Sequence, residues 1–62
     1  MDSRTVINLI EADGWFEVAQ KGSHKQFKHP RKPGKATVPH PKKDLPLSTL
    51  RSIERQTGTR LR

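Results

Sequence analysis

No cysteine occurs anywhere in this chain, and that absence constrains its fold more than any residue present. A chain of 62 residues buries only about 60% of the surface its unfolded form exposes. With no disulfide or thiolate metal site to staple it, stability rests on helix and sheet packing around one small core. Such a core supplies about 3–5 kcal/mol. Residues 1–62 are therefore expected to make a single domain, and a partner that binds the folded form would add to its stability.

The hydrophobic pattern changes period twice. Ser3 is expected to cap a helix whose apolar positions are Val6, Ile7, Leu9 and Ile10, with Val6 and Ile10 one turn apart. Gly14 ends it near Asp13. Trp15 to Gln20, aromatic and β-branched, reads as a strand. Lys21-Gly22-Ser23 is a tight turn, and a second strand from about His24 to His29 returns antiparallel until Pro30 stops it. Arg31-Lys32-Pro33-Gly34 is turn chemistry, and Lys35 to Val38 reads as a third short strand closed by Pro39. Residues 39–43 are extended, because each residue before a proline avoids the helical region. A second helix starts near Pro46, with Leu47, Leu50 and Ile53 on one apolar face, and ends at Gly58. Thr59 to Arg62 are expected to fray, with Leu61 able to fold back onto the core.

The expected fold class is α+β: helix, three-stranded antiparallel meander, helix. Both helices pack on one face of the sheet, since only that arrangement buries each apolar stripe. The other face stays open.

Side-chain alternation then sorts the strands. Phe27 is the only strong hydrophobe of the second strand and marks its core face, which sends Lys25 inward or to the edge. His24, Gln26 and Lys28 go to the open face. On the third strand Ala36 and Val38 point in, and Lys35 and Thr37 point out. Trp15 and Phe16 are adjacent, so a regular strand cannot bury both. Trp15 and Val18 are expected inside across a bulge. Phe16 is left partly exposed as a base-stacking platform or a partner contact, or else caps the core edge.

Charge is as uneven as hydrophobicity. The net charge is +7. From Val18 to Lys43 there is no Asp or Glu, yet the segment holds Lys21, Lys25, Lys28, Arg31, Lys32, Lys35, Lys42, Lys43 and all three histidines. A solvated face usually mixes signs, so this run favours a polyanionic partner. A membrane surface fits poorly, because the basic run has no apolar helical face beside it and no apolar stretch approaches the roughly 20 residues of a span. No signal-peptide pattern starts the chain, and the cytoplasm is the expected location.

Gly22-Ser23-His24 sits at the head of this field. RNA can be cut by its own 2′-hydroxyl when a base removes that proton and an acid protonates the leaving 5′-oxygen. Histidine, with an ordinary pKa of about 6.5, suits either role. Lys21, Lys25 and Lys28 could stabilise the charge that develops on phosphorus, with Lys35 on the same basic face. Gly22 would let backbone approach the phosphate and Ser23 would position it. No metal cofactor is expected, because the basic run has no carboxylate for a hard cation. A zinc site from His24, His29 and His40 has no common ligand spacing. His29-Pro30 and His40-Pro41 suggest structural loop roles. The plainer reading of His24 is a surface histidine after a turn. Two other functions would suit that reading: a non-catalytic RNA-binding domain, or a module docking an acidic protein.

Asp13-Gly14-Trp15, then Gly22-Ser23-His24-Lys25-Gln26-Phe27-Lys28-His29-Pro30, resemble the HicA family of bacterial toxins. Val38-Pro39-His40-Pro41, Asp44-Leu45-Pro46 and Thr49-Leu50-Arg51-Ser52-Ile53 continue the match, in order, over residues 3–58. The resemblance implies a fold like the double-stranded RNA-binding domain. It implies a ribosome-independent mRNA interferase whose catalytic histidine is His24, and a HicB-type antitoxin that covers the active site. The chain departs from the family in Ser52 to Thr57, where members often carry apolar residues near Glu54 and Thr57.

Overall fold

The computed structural model describes residues 1–61 and has the order α1 (Ser3–Ala12), β1 (Phe16–Lys21), β2 (His24–Lys28), β3 (Ala36–Pro39), α2 (Leu47–Thr57). This is the α+β arrangement expected, a helix, a three-stranded antiparallel sheet in the order β1-β2-β3, and a helix.

The first helix is capped one residue earlier than expected. Asp2, not Ser3, is the N-cap, and its carboxylate accepts from the Thr5 amide at 3.2 Å. Ser3 is buried in the first turn, and its Oγ contacts the His40 ring and accepts from the Lys42 amide. The Ser3 hydroxyl therefore serves a long-range contact, and Asp2 is left to cap. At the other end Asp13 closes α1 and Gly14 takes φ 109°. The α2 helix ends as expected at Gly58, in the left-handed conformation.

The first strand starts at Phe16 rather than Trp15. The Trp15 amide still donates to the Ile10 carbonyl at 3.1 Å, so Trp15 belongs to the helix exit. The register pairs Phe16 with Lys28, Glu17 with Phe27, Ala19 with Gln26, Gln20 with Lys25 and Lys21 with His24. The shift between Glu17 and Ala19 is the expected bulge, and Val18 is the extra residue. It does not bury Val18, which is 47% exposed, so the expectation of Val18 inside is wrong. The reason is position: both helices pack against β3, and all six residues of β1 are exposed. Trp15 is buried, as expected, and Phe16 is 48% exposed.

Phe27, Ala36 and Val38 form the inner face of the sheet and are completely buried. Val6, Ile7 and Ile10 from α1, and Leu50 and Ile53 from α2, share their cluster, so both helices cover the same face. Leu47 does not join them. It is 48% exposed, because it lies in the first turn of α2, short of the sheet. Leu9 is exposed as well.

Leu61 folds back and is buried among the core residues. The polar composition of α2 explains how. Thr57 Oγ1 donates to the Ile53 carbonyl at 2.7 Å and accepts from the Thr59 amide at 3.1 Å. Glu54 Oε2 accepts from the Leu61 amide at 2.9 Å. Thr57 is thus buried with its hydroxyl satisfied, and the segment after Gly58 is tied down rather than frayed as far as Leu61. Arg62 of that expectation lies outside the described residues.

Candidate nucleic-acid interface

Gly22 and Ser23 form the two-residue turn joining β1 to β2. A hairpin this tight fixes its register, so Lys21 and His24 become direct cross-strand partners. Gly22 sits at φ 56°, where a side chain is disfavoured, and beyond its chain neighbours no atom lies within 4 Å of where a Cβ would stand. His24 is exposed.

Alternation from this pair lays out the open face. His24, Gln26 and Lys28 of β2 lie beside Lys21, Ala19 and Phe16 of β1 and beside Pro39 and Thr37 of β3. Thr37 Oγ1 donates to Gln26 Oε1 at 3.0 Å, which steadies the middle of the face. Among the described strand residues none on this face is acidic. The single acid of the sheet, Glu17, pairs with Phe27 and so belongs to the helix side.

The expected site residues therefore separate into three groups. His24, Lys21, Gly22 and Ser23 gather at the hairpin end. Lys28 is on the same face but four residues along, about 13 Å away at 3.3 Å per residue. Lys35 is exposed just before β3, where the antiparallel register brings it towards Lys28. Lys25 stands apart. Its partners are Gln20 and Val38, on the helix side of the sheet. Its Nζ donates to both Glu17 carboxylate oxygens at 3.0 and 3.1 Å and to Gln20 Oε1 at 3.0 Å. With its side chain only 16% exposed and its charge matched, it has little left for a phosphate.

The other histidines are built into the frame. His29 Nδ1 accepts from the Arg31 and Lys32 amides at 3.0 and 3.1 Å. Its Nε2–H then donates to the Asp13 carbonyl at 2.7 Å. The ring also stands edge-on to Trp15, with centroids 5.3 Å apart. His40 sits on the helix side of the hairpin end. Its amide donates to the Ser23 carbonyl at 2.6 Å, and its ring contacts Ser3 and Arg4. The three histidines point to separate places, and the described residues contain no group of three or more metal-ligating side chains.

Phe16 lies on the open face opposite Lys28, so an apolar ring and an ammonium sit side by side there. That pairing suits a base and its phosphate.

A family model described as the HicA toxin of bacterial toxin–antitoxin systems matches residues 3–59. The chain belongs to the HicA toxin family. It is accordingly a toxin of a toxin–antitoxin system, and its partner is a cognate antitoxin. None of the curated proteins matches the chain. No helix among the described residues is long and apolar enough to cross a membrane.

Proposed function

We propose that this HicA toxin is an mRNA interferase that cleaves RNA with His24 and needs no metal. The observation that carries this reading is the exposed His24 on an acid-free face, with Lys21 as its cross-strand neighbour. In the reaction the 2′-hydroxyl loses its proton and its oxygen bonds to the adjacent phosphorus. The bond from phosphorus to the 5′-oxygen breaks, and that oxygen takes up a proton. The products are a 2′,3′-cyclic phosphate and a 5′-hydroxyl end. His24 moves one of these two protons.

Lys21 stabilises the extra charge on phosphorus, because its side chain starts from the residue paired with His24. Gly22 and Ser23 present open backbone and a hydroxyl beside the same phosphate. Lys28 and Lys35 hold phosphates further along the strand. A HicB-type antitoxin neutralises the toxin by covering this face, where it would meet a positive surface with complementary acids.

Replacing His24 with Ala should abolish cleavage of single-stranded RNA and arrest of growth while leaving thermal unfolding unchanged. Cleavage by that variant at the parent's rate would overturn the assignment. A DNA oligonucleotide of the same sequence should stay intact, since it lacks the 2′-hydroxyl.

A further inference from the structure

The strap that follows β3 makes a second basic feature beside the hairpin. Ser3 and Lys42 are joined by a backbone hydrogen bond of 2.9 Å, and the Leu45 amide donates to the Met1 carbonyl at 2.8 Å. Residues 40–45 are thereby zipped along the start of α1. Between them lies a groove of about 610 Å³, lined by Arg4, His40, Pro41, Lys42 and Lys43 with Asp2 and Ser3. Three cations and one carboxylate line it, leaving two net positive charges. The carboxylate is already committed, since Asp2 caps the Thr5 amide.

The interior of the groove is ordered by His40. Arg4 only donates hydrogen bonds, so the 3.2 Å contact from Arg4 Nη2 makes His40 Nε2 an acceptor. The ring hydrogen is then on Nδ1, where it donates to Ser3 Oγ at 2.7 Å. Arg4 is held by one nitrogen, and its remaining donors are free to form a fork to an oxyanion. His40 also anchors the groove to the hairpin, through its 2.6 Å amide bond to Ser23. Pro39, one residue earlier, is the cross-strand partner of His24.

We propose that this groove binds a second backbone phosphate of the RNA chain whose scissile phosphate is placed at His24. Arg4 and Lys42 are its ligands and His40 positions Arg4. The RNA passes from the open face round the hairpin end and onto the helix side. The inference rests on the RNA-cleaving reading above and adds a subsite to it. An RNA phosphate is favoured over an acidic protein because the groove adjoins the hairpin of His24, where the RNA chain lies in the reading above.

The test compares the parent with Arg4→Gln/Lys42→Gln. An Arg51→Gln/Arg55→Gln variant removes the same charge from the exposed face of α2 as a control. Both side chains of the test pair are exposed, so folding is retained, which thermal unfolding verifies. Steady-state cleavage of an unstructured ribo-oligonucleotide gives kcat and KM, and the same oligonucleotide is titrated against each variant in a His24→Ala background. The groove variant should raise KM and Kd about tenfold, the worth of a charge-assisted hydrogen bond, with kcat within about twofold. Its slope of log affinity against log salt should be shallower by about 0.7 for each phosphate that is no longer neutralised. Equal KM, Kd and slope in the groove and control variants would overturn the proposal. So would unchanged RNA binding together with weakened affinity for the antitoxin. Should the parent cut no RNA, the cleavage reading fails, while the titrations still decide whether the groove binds RNA.

Discussion

Lysines 21 and 25 are four positions apart in sequence and have opposite fates. Lys21 stands opposite His24 on the open face, whereas Lys25 is tied to Glu17 and Gln20 on the helix side. Their substitutions should separate accordingly. Lys21→Gln should weaken RNA binding and cleavage about tenfold, as expected when a charged hydrogen bond to phosphate is removed. Lys25→Gln should leave RNA affinity within about twofold and act instead on stability, by less than about 1 kcal/mol for so exposed a partner as Glu17. Titration with a ribo-oligonucleotide and thermal unfolding of each variant read the two effects. An equal drop of RNA affinity in both would place Lys25 on the binding face after all.

The joint between α1 and β1 shows how closely the elements are fitted. Gly14 turns the chain at φ 109°, and a Cβ there would lie 2.7 Å from His29 Nε2. Two costs coincide: a backbone conformation hostile to side chains, and displacement of the ring that bonds the Asp13 carbonyl. Gly14→Ala should therefore destabilise by about 1–3 kcal/mol. In a domain of this size that lowers Tm by about 4–8 °C for each kcal/mol. Differential scanning calorimetry checks it, and an unchanged Tm would show that His29 moves aside without cost. His24 lies at the far end of β2 from this joint, so the variant should still cut RNA when folded.

Three parts of the chain meet at one carboxylate. Asp13 Oδ2 accepts from Lys32 Nζ, from Thr59 Oγ1 at 3.3 Å and from Trp15 Nε1 at 3.3 Å. Lys32 Nζ also donates to the Thr57 carbonyl at 3.1 Å, so the end of α1, the β2–β3 loop and the end of α2 are clasped together. The Lys32 hydrogen bond is the main reason that the Asp13 pKa lies below its ordinary value of 3.8. A lowered folded-state pKa contributes stability that is present above the unfolded value and lost as pH falls through the folded one. The parent should thus be more stable than Asp13→Asn at neutral pH, and the gap should close below about pH 4. Urea midpoints across that range measure it, and a gap independent of pH would mean that the carboxylate's charge plays no part. The N-terminal ammonium lowers Asp44 and the Thr5 hydrogen bonds lower Asp2, so the same acid limb includes them.

Local signals were enough for the element order, for the helix-end glycines, for the buried Phe27, Ala36 and Val38, and for the open-face position of His24. These depend on periods of 3.6 and 2 and on turn residues, which act over a few positions. The turn is shorter than expected: Lys21, read as part of it, ends β1 and pairs with His24, and only Gly22 and Ser23 turn. The errors lie where partners are distant in sequence. Val18 faces solvent because both helices pack against β3 and leave β1 exposed, and Leu47 because it lies in the first turn of α2. Asp2 replaces Ser3 as the cap because Ser3 is taken by His40, 37 residues away. Lys25 leaves the phosphate set because Glu17 lies across the strand pair on the helix side, within reach of its ammonium. The amino-acid sequence alone thus determines the elements, the sheet face of His24 and the family. Which charges are free and which are already matched is set only by folding, because an ion pair or a hydrogen-bond partner depends on distances that no local pattern encodes.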